Sequence, residues 1–494
     1  MPKTTKKAAP KTAVAEQVVK LKIPKTKGQL QLVRGMRDIL PNEQPYWQFV
    51  VRKCEHMAEV YGYDRIDTPI VEHTSLFVRA VGEATDIVEK EMYAFQDKSG
   101  EYIALRPELT AGIARAYVEH GMVNQPQPVK LFSWGPFFRH DRPQAGRYRQ
   151  AHHFGAEIIG SAEPILDAEL ISIAYHLYQE LGLDVVVQVN SIGDAACRPA
   201  YRGQLMEYYK KHKRELCEDC KRRLAKNPLR LLDCKVDHCK ELAQNAPQTI
   251  DHLCEECKTH FTQVLEYLDS AEIVYQLNPR IVRGLDYYTR TAFEFALPGE
   301  NGEPGMALGG GGRYDGLLAS LGAREATPAV GFGLGIERII LAMKERNVPM
   351  LLPPRPDVFF AQIGASARKR SLKILEDLRK AGFRVRANLT REALGPQLGL
   401  ADRYGARFAL ILGQKEIIDE TILLREMLTG SQEVIDIEKM IPELKKRLDK
   451  LGPDTEQRMV TPMQEAGDPN AQPGEDGEGF KPPVEDVADE KKGK

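Results

Sequence analysis

Apolar residues recur at helical spacing from Asn42 onward, where Trp47, Val50, Val51, Cys54, Met57, Ala58 and Tyr61 share one face. Asn42 is the expected N-cap and Gly62 the expected stop. A strand is expected from Tyr63 to Ile70; Pro69 removes a ladder donor, which places that strand at an edge or an interface. Glu163 to Leu181 reads as an amphipathic helix, Val185 to Asn190 as a buried strand, and Val282 to Phe295 as strand again. Between Asp194 and about Ser270 the texture changes to Lys, Arg, Glu and Cys, the mark of a helical insertion. Pro353, Pro354 and Pro356 form a linker. Beyond it, expected strands at Asp357–Gln362, Phe383–Ala387 and Phe408–Leu412 alternate with helices at about Ser366–Ala381 and Leu398–Tyr404, with Gly382 and Gly405 as stops. That alternation predicts a small α/β domain with a partly parallel sheet.

The chemistry concentrates in Leu131 to Gly160. Two apolar, strand-like runs flank a loop that carries Arg139, Arg142, Arg147 and Arg149, with Pro143 and Gly146 as turn residues. This is an antiparallel hairpin whose guanidinium forks suit phosphate oxygens, or else a solvated surface hairpin. In Ala104 to Gly112, Glu108 and Thr110 open a helix, which is a capping arrangement. The acid-rich stretch Arg79 to Phe95 reads as a solvated helix or loop face. GGGGRYDG, from Gly309 to Gly316, lets a ligand approach backbone closely or serves as a flexible turn; neither a P-loop nor a dinucleotide fingerprint is present. GFGLGIER, from Gly331 to Arg338, leaves one strand face bare before a helix that starts near Ile336.

Composition narrows the partners. A chain of 494 residues with 42% hydrophobic and 28% charged residues is long enough for two or three domains. A net charge of −1 means that any nucleic-acid partner must be met by local basic patches. Residues 1–29 are expected to be a disordered basic tail and 451–494 a disordered acidic one. No apolar run is long enough to span a membrane, and no secretory signal is visible at the start, so a cytosolic location is expected. The eight cysteines are then free thiols or metal ligands. Cys217 with Cys220 and Cys254 with Cys257 have zinc-like spacing, with Cys234 and Cys239 between them; reduced, half-buried thiols are the alternative. The basic residues from Lys221 to Arg230 offer either an RNA contact or a solvated face.

The string FRHDRPQAGRYRQ resembles motif 2 of class II aminoacyl-tRNA synthetases, in the form found in the histidyl-tRNA synthetase family. The helix and strand around Pro69 resemble motif 1, GFGLGIER resembles motif 3, and VRGLDYYTRTAFEF resembles a stretch confined to the histidyl family and its near relatives. LADRYGARFALILGQKE is similar to the anticodon-binding domain of class IIa enzymes. The resemblance implies an α+β catalytic domain with a mostly antiparallel sheet over 30–352, interrupted by a helical insertion at about 195–270. A C-terminal α/β anticodon-binding domain would follow over 357–450. It implies a histidine–tRNA ligase that uses ATP with Mg²⁺, forms histidyl-adenylate and pyrophosphate, and transfers histidine to tRNA(His) as a homodimer. Arg139, Arg283 and Arg338 would be catalytic. Glu108, His153, Glu157, Tyr287 and Tyr288 would bind histidine. Arg139, Arg147, Gly333 and Arg338 would bind ATP, and the loop with Glu83 and Thr85 would lie over the site. The sequence departs from the family at His153, where glutamine is usual, at Leu109, where glycine is usual, and at Gly395-Pro396-Gln397, where the family often carries a lysine. Zinc at Cys217, Cys220, Cys254 and Cys257 is a further possible cofactor that the family does not require. Two other functions fit parts of the chain: a synthetase-like regulatory or histidine-binding subunit of histidine biosynthesis, and a free-standing RNA-binding module.

Overall fold

The computed structural model describes residues 30–83, 85–142, 145–299, 304–349, 354–390 and 393–452. The two expected tails, apart from residues 451 and 452, lie outside the described residues, as do Pro143 of the hairpin turn and Pro353 of the linker.

The first part of the chain runs α1 (Gln44–Val60), β1 (Asp64–Arg65), β2 (Val71–His73), α2 (Thr74–Val81), β3 (Ala94–Gln96), β4 (Tyr102–Leu105), α3 (Thr110–Glu119), β5 (Val129–Phe138), β6 (Gln150–Ile159), α4 (Pro164–Glu180) and β7 (Val186–Ser191). The insertion follows as α5 (Arg198–Lys211), α6 (Glu218–Lys226), α7 (Asp237–Gln244) and α8 (Glu255–Ser270). Then come β8 (Tyr275–Leu277), β9 (Thr289–Pro298), β10 (Pro304–Arg313), α9 (Leu317–Ser320), β11 (Ala329–Gly335) and α10 (Ile336–Glu345). An eight-stranded sheet has the order β1-β5-β6-β11-β10-β9-β7-β8; only the outermost pairs, β1 with β5 and β7 with β8, are parallel.

One face of this sheet is packed. Phe154, Ala156 and Ile158 of β6 and Phe332 and Leu334 of β11 meet Val50, Cys54 and Met57 of α1, Ile171, Ala174 and Leu177 of α4, and Ile339 and Met343 of α10. Removing these side chains from water drives the fold, at about 25 cal/mol per Å² of apolar area. Because side chains alternate along a strand, covering Phe154, Ala156 and Ile158 turns His153, Gly155 and Glu157 to the opposite face.

The first helix starts one residue later than its sequence suggested, with Glu43 rather than Asn42 at the N-cap, while Gly62 follows its end at φ +75°. The carboxylate of Glu43 instead pairs with Arg37 and with Lys344 at 3.3 Å, tying the N-terminus of α1 to α10. The strand expected from Tyr63 to Ile70 shrinks to Asp64–Arg65, at the sheet edge, and leaves Pro69 outside any strand.

The C-terminal part comprises β12 (Val358–Gln362), α11 (Ala365–Lys380), β13 (Val385–Ala387), α12 (Leu394–Arg403), β14 (Phe408–Leu412), α13 (Gln414–Ile418), β15 (Thr421–Glu426), β16 (Gln432–Asp436) and α14 (Met440–Leu451). Its sheet, β13-β12-β14-β15-β16, is parallel across the first three strands and antiparallel across the rest. Helix α12 begins at Leu394, ahead of the expected Leu398, so Gly395-Pro396-Gln397 is helical. Gln397 is fully buried: its Oε1 accepts from the Gln362 N–H at 3.1 Å and its Nε2 donates to the Gln362 carbonyl at 2.8 Å. The position where a lysine was expected is thus a fastening between α12 and β12.

Candidate active site

The open face of the large sheet has few side chains at its centre. Gly135, His153 and Gly335 stand in one row across β5, β6 and β11. Ser133, Gly155, Gly333 and Gly310 form the next row, and Leu131, Glu157, Gly331 and Gly312 the third. Directly paired residues of neighbouring strands share a face, so these rows form one platform. Ionisable side chains occupy part of the space above the glycines. A Cβ on Gly331 would fall 1.5 Å from Oε2 of Glu157, one on Gly310 2.7 Å from Nη1 of Arg283, and one on Gly333 3.3 Å from Nδ1 of His153.

Three distant arginines meet at this platform. Arg139 directly follows β5; its Nε donates to the Pro107 carbonyl at 2.8 Å and its guanidinium lies 5.1 Å from the centre of the Phe137 ring. Arg338, in the first turn of α10, donates to the Ala307 carbonyl at 2.6 Å. Arg283, between β8 and β9, lies 5.4 Å from the Tyr288 ring centre and 3.5 Å from a carboxylate oxygen of Glu294, with its Nε buried and unpartnered. His153 senses all three. Burial pushes its imidazole well below the usual histidine range, and Arg139, Arg338 and Arg283 push it further. Its ring packs against Phe137 with centroids 4.0 Å apart. His153 is therefore a neutral ring at the guanidinium side of the platform.

The other hairpin arginines divide. Arg147 is half exposed and pairs with Asp141 at 3.2 Å, yet its charge reaches Arg338. Arg149 holds chain instead of ligand: its N–H bonds the Gly35 carbonyl at 2.7 Å and its guanidinium the Arg34 carbonyl at 3.1 Å. Arg142 is exposed.

Acids and phenols gather at the far end of the same face. Glu108 accepts from the backbone N–H groups of Thr110 at 2.6 Å and Ala111 at 2.8 Å, capping α3 as its position in the sequence suggested. Glu157 accepts from the Thr110 hydroxyl at 2.6 Å and from the Tyr314 hydroxyl. Burial pushes its carboxyl up to about 8 in spite of these two donors. Tyr287 lies 4.6 Å from Tyr288 and 5.5 Å from Tyr314, centre to centre. The two tyrosines precede β9, which begins at Thr289, so the strand expected from Val282 starts late. One residue of this cluster, Tyr314, had not been singled out, and Thr110 had been read only as part of a helix start. Alternation from Gly310 through Gly312 leads to Tyr314 on the open face, a usable signal. The turn with Glu83 and Thr85 is closed by the Thr85 hydroxyl, which donates to the Gly82 carbonyl at 2.8 Å.

The insertion leans on this site. Arg223 pairs with Asp86 at 2.6 Å, Lys226 with Glu89 at 2.7 Å, and Asn227 donates to Asp286 at 2.8 Å. Lys221, Arg222 and Arg230 also have acidic partners, Glu218, Asp219 and Asp233, so this basic run is spent largely on protein. The four-cysteine set Cys217, Cys220, Cys254 and Cys257 does not come together. Cys217 and Cys220 lie at the N-terminus of α6 with Cys234 and Cys239; Cys254 and Cys257 lie at the N-terminus of α8 with Cys197 and Asp194. Two short helices separate the pairs, which spacing alone does not reveal.

Known proteins of one family share this sequence and fold. The profile of the histidyl-tRNA synthetase family matches residues 35–339, and that of the anticodon binding domain matches residues 357–447. The chain is 48% identical over 419 residues to histidine–tRNA ligase of Dehalococcoides mccartyi, covering 85% of this chain and all of the relative. It is 44% identical over 415 residues to the ligase of Desulforamulus reducens, 84% of this chain and 98% of that one. The crystal structure of apo S. aureus histidyl-tRNA synthetase superposes with a TM-score of 0.70 at 35% identity, covering 84% of this chain and 100% of that one.

Proposed function

The chain belongs to the histidyl-tRNA synthetase family and is a histidine–tRNA ligase, and from that premise we propose how its residues divide the reaction. It matches such ligases along their whole length, C-terminal unit included, which sets aside both the regulatory subunit and the free-standing RNA-binding module. The convergence of Arg139, Arg283 and Arg338 on His153 carries the assignment.

The purine lies on the glycine platform around Gly333, where the absence of side chains leaves room for a flat ring. Arg139 and Arg283 flank the α-phosphate and Arg338, with Arg147 at the rim, receives the outer phosphates. A histidine carboxylate oxygen attacks the α-phosphorus in line. The bond to the bridging oxygen breaks, pyrophosphate leaves, and histidyl-adenylate forms. Such a transfer needs alignment and preplaced positive charge, which three fixed guanidinium groups supply. A terminal ribose hydroxyl of tRNA(His) then attacks the activated carbonyl and AMP leaves.

Histidine is selected at the other end of the face. Glu157, held by Tyr314 and Thr110, meets the imidazole N–H, and Tyr287 and Tyr288 wall the ring. Glu108 retains lone pairs beyond its two backbone bonds and faces the ammonium. His153 borders the α-phosphate side, and its neutral ring avoids adding a fourth charge. A side chain that cannot pair with Glu157 leaves a buried carboxyl group unsatisfied, a strong means of rejection. Mg²⁺ comes to the site on the phosphates of ATP, since this ion is ordinarily held by substrate phosphates and one or two carboxylates and not by a cage of protein ligands.

The units are a catalytic domain over 30–352 and an anticodon-binding domain over 357–450 that grips tRNA(His). The protein works as a homodimer in the cytosol. Ile70, Val71, Phe95 and Tyr102 are exposed around the small sheet β2-β4-β3, an apolar face suited to a second copy. All eight cysteines are free, and no described helix is long and apolar enough to cross a membrane. Histidine-dependent exchange of pyrophosphate into ATP tests the first step, and its absence would overturn this division of labour.

A further inference from the structure

We propose that the insertion holds two zinc ions, one bound by Cys217, Cys220, Cys234 and Cys239 and the other by Asp194, Cys197, Cys254 and Cys257. In each set the four candidate ligand atoms all lie within 4.8 Å of one another. Tetrahedral thiolates at about 2.3 Å from zinc stand about 3.8 Å apart. The Cys217 and Cys234 sulfurs are 3.8 Å apart, far beyond the roughly 2.05 Å of a disulfide. Seven of the eight cysteines fall in these two sets, and only Cys54, buried in α1, stands elsewhere.

Backbone N–H groups point at three of these sulfurs. The Cys220 N–H points at the Cys217 sulfur at 3.5 Å, the Cys217 N–H at Cys239 at 3.3 Å, and the Cys254 N–H at Cys197 at 3.1 Å. Cys217 and Cys254 occupy N-caps of α6 and α8, where the helix dipole favours a negative sulfur. In the second set the Asp194 Oδ1 accepts from the N–H groups of Ala196 at 2.9 Å and Cys197 at 3.2 Å, which fixes the carboxylate toward the sulfurs. Sulfur-rich tetrahedral sets select zinc among common divalent ions.

The fold also has a need for them. The insertion core is small, built from Tyr201, Leu205, Tyr209, Leu224, Leu231 and their neighbours around α6 and α7. Helices α6 and α7 have 9 and 8 residues, shorter than the roughly 12–15 at which isolated helices become even marginal. A core of that size is ordinarily stapled by metal or disulfides. The first ion staples α6 to α7 through the Cys234 turn. The second joins the two ends of the insertion, where the chain leaves β7 near Asp194 and returns into α8 at Cys254.

The test is metal analysis of the full-length chain, purified under reductant without chelator or a metal-affinity column. Two equivalents of zinc per chain are expected. Cys234→Ser and Cys254→Ser should each lose one equivalent and keep the other. Replacement by cobalt in the wild-type chain should give the intense sulfur-to-metal absorption of tetrahedral thiolate sites, a readout that does not depend on the variants folding. Zinc far below one equivalent in chain with eight reduced thiols overturns the proposal. A single equivalent lost in Cys234→Ser but kept in Cys254→Ser overturns the Asp194 site, and iron in place of zinc overturns the identity of the metal.

Discussion

Gly331 stands directly across the β6–β11 pair from Glu157, and its missing side chain is the space that the Glu157 carboxylate fills. In the proposed division of labour, specificity for an imidazole depends on these two residues, one that contributes a carboxyl group and one that contributes nothing. Gly331→Ala should displace Glu157 and cut histidine-dependent pyrophosphate exchange by about 100-fold or more. Its unfolding free energy should fall by only about 1–3 kcal/mol, as for other overpacked sites. Exchange kinetics and denaturant unfolding on the same preparation separate the two effects.

Tyr314→Phe removes one of the two hydroxyl donors to Glu157 while keeping the ring against Tyr287. An unmet buried acceptor costs about 1–3 kcal/mol. KM for histidine should rise about 5- to 150-fold on that basis, with KM for ATP unchanged. Equal increases in both would mean that Tyr314 holds the general shape of the site rather than the imidazole end.

Arg283→Ala should lower kcat for pyrophosphate exchange by about 10²–10³-fold, the usual cost of one preplaced donor at a developing charge. Little stability should go with it, since its one ion pair, with Glu294 at 3.5 Å, is loose. Near-normal exchange in this variant would remove Arg283 from the reaction.

The carboxyl of Glu157 is raised by burial from the ordinary glutamate range to about 8. A raised pKa means that the folded chain holds a proton which the unfolded chain releases near pH 4.5. This group's contribution is therefore fully present below that pH and is lost as pH rises through about 8. The substrate-free protein should lose stability over that window at up to about 1.4 kcal/mol per pH unit from this residue. Glu157→Gln should flatten that slope in urea unfolding at a series of pH values; an unchanged slope would show that Glu157 is ionised in the empty site.

Arg313 and Asp167 are both fully buried and form an ion pair that joins β10 to α4 behind the platform. Arg313→Met should cost about 3–5 kcal/mol because Asp167 is left as a buried, uncompensated charge. Adding Asp167→Leu should recover much of the loss, as judged by thermal and denaturant melting.

The parts of this architecture that were legible in the sequence share a cause. The hairpin β5–β6, the glycine strand β11 and the start of α10 at Ile336 are set by local alternation and by residues without side chains, and those signals lie within a few positions of one another. Legibility failed where long-range contacts decide. The strand after α1 is two residues long because its ladder with β5 covers only Asp64 and Arg65 and ends in a last hydrogen bond from the Ile66 N–H to the Phe132 carbonyl. Arg149 has the same charge as Arg139 but is claimed by the carbonyls of residues 34 and 35. The Glu157–Tyr314 bond spans 157 positions. The cysteine pairs were visible, but their partners Cys234, Cys239, Cys197 and Asp194 are chosen by how four helices fold back on themselves.

The platform proposed to carry the nucleotide is built from atoms that are not there, which inverts the usual sense of fragility. Truncation to alanine, which finds important residues by deleting contacts, enlarges the side chain at positions 135, 155, 310, 331 and 333. A mutational scan of this chain that skips glycines would leave the proposed nucleotide floor unmarked, and drift at those five positions can only add obstruction.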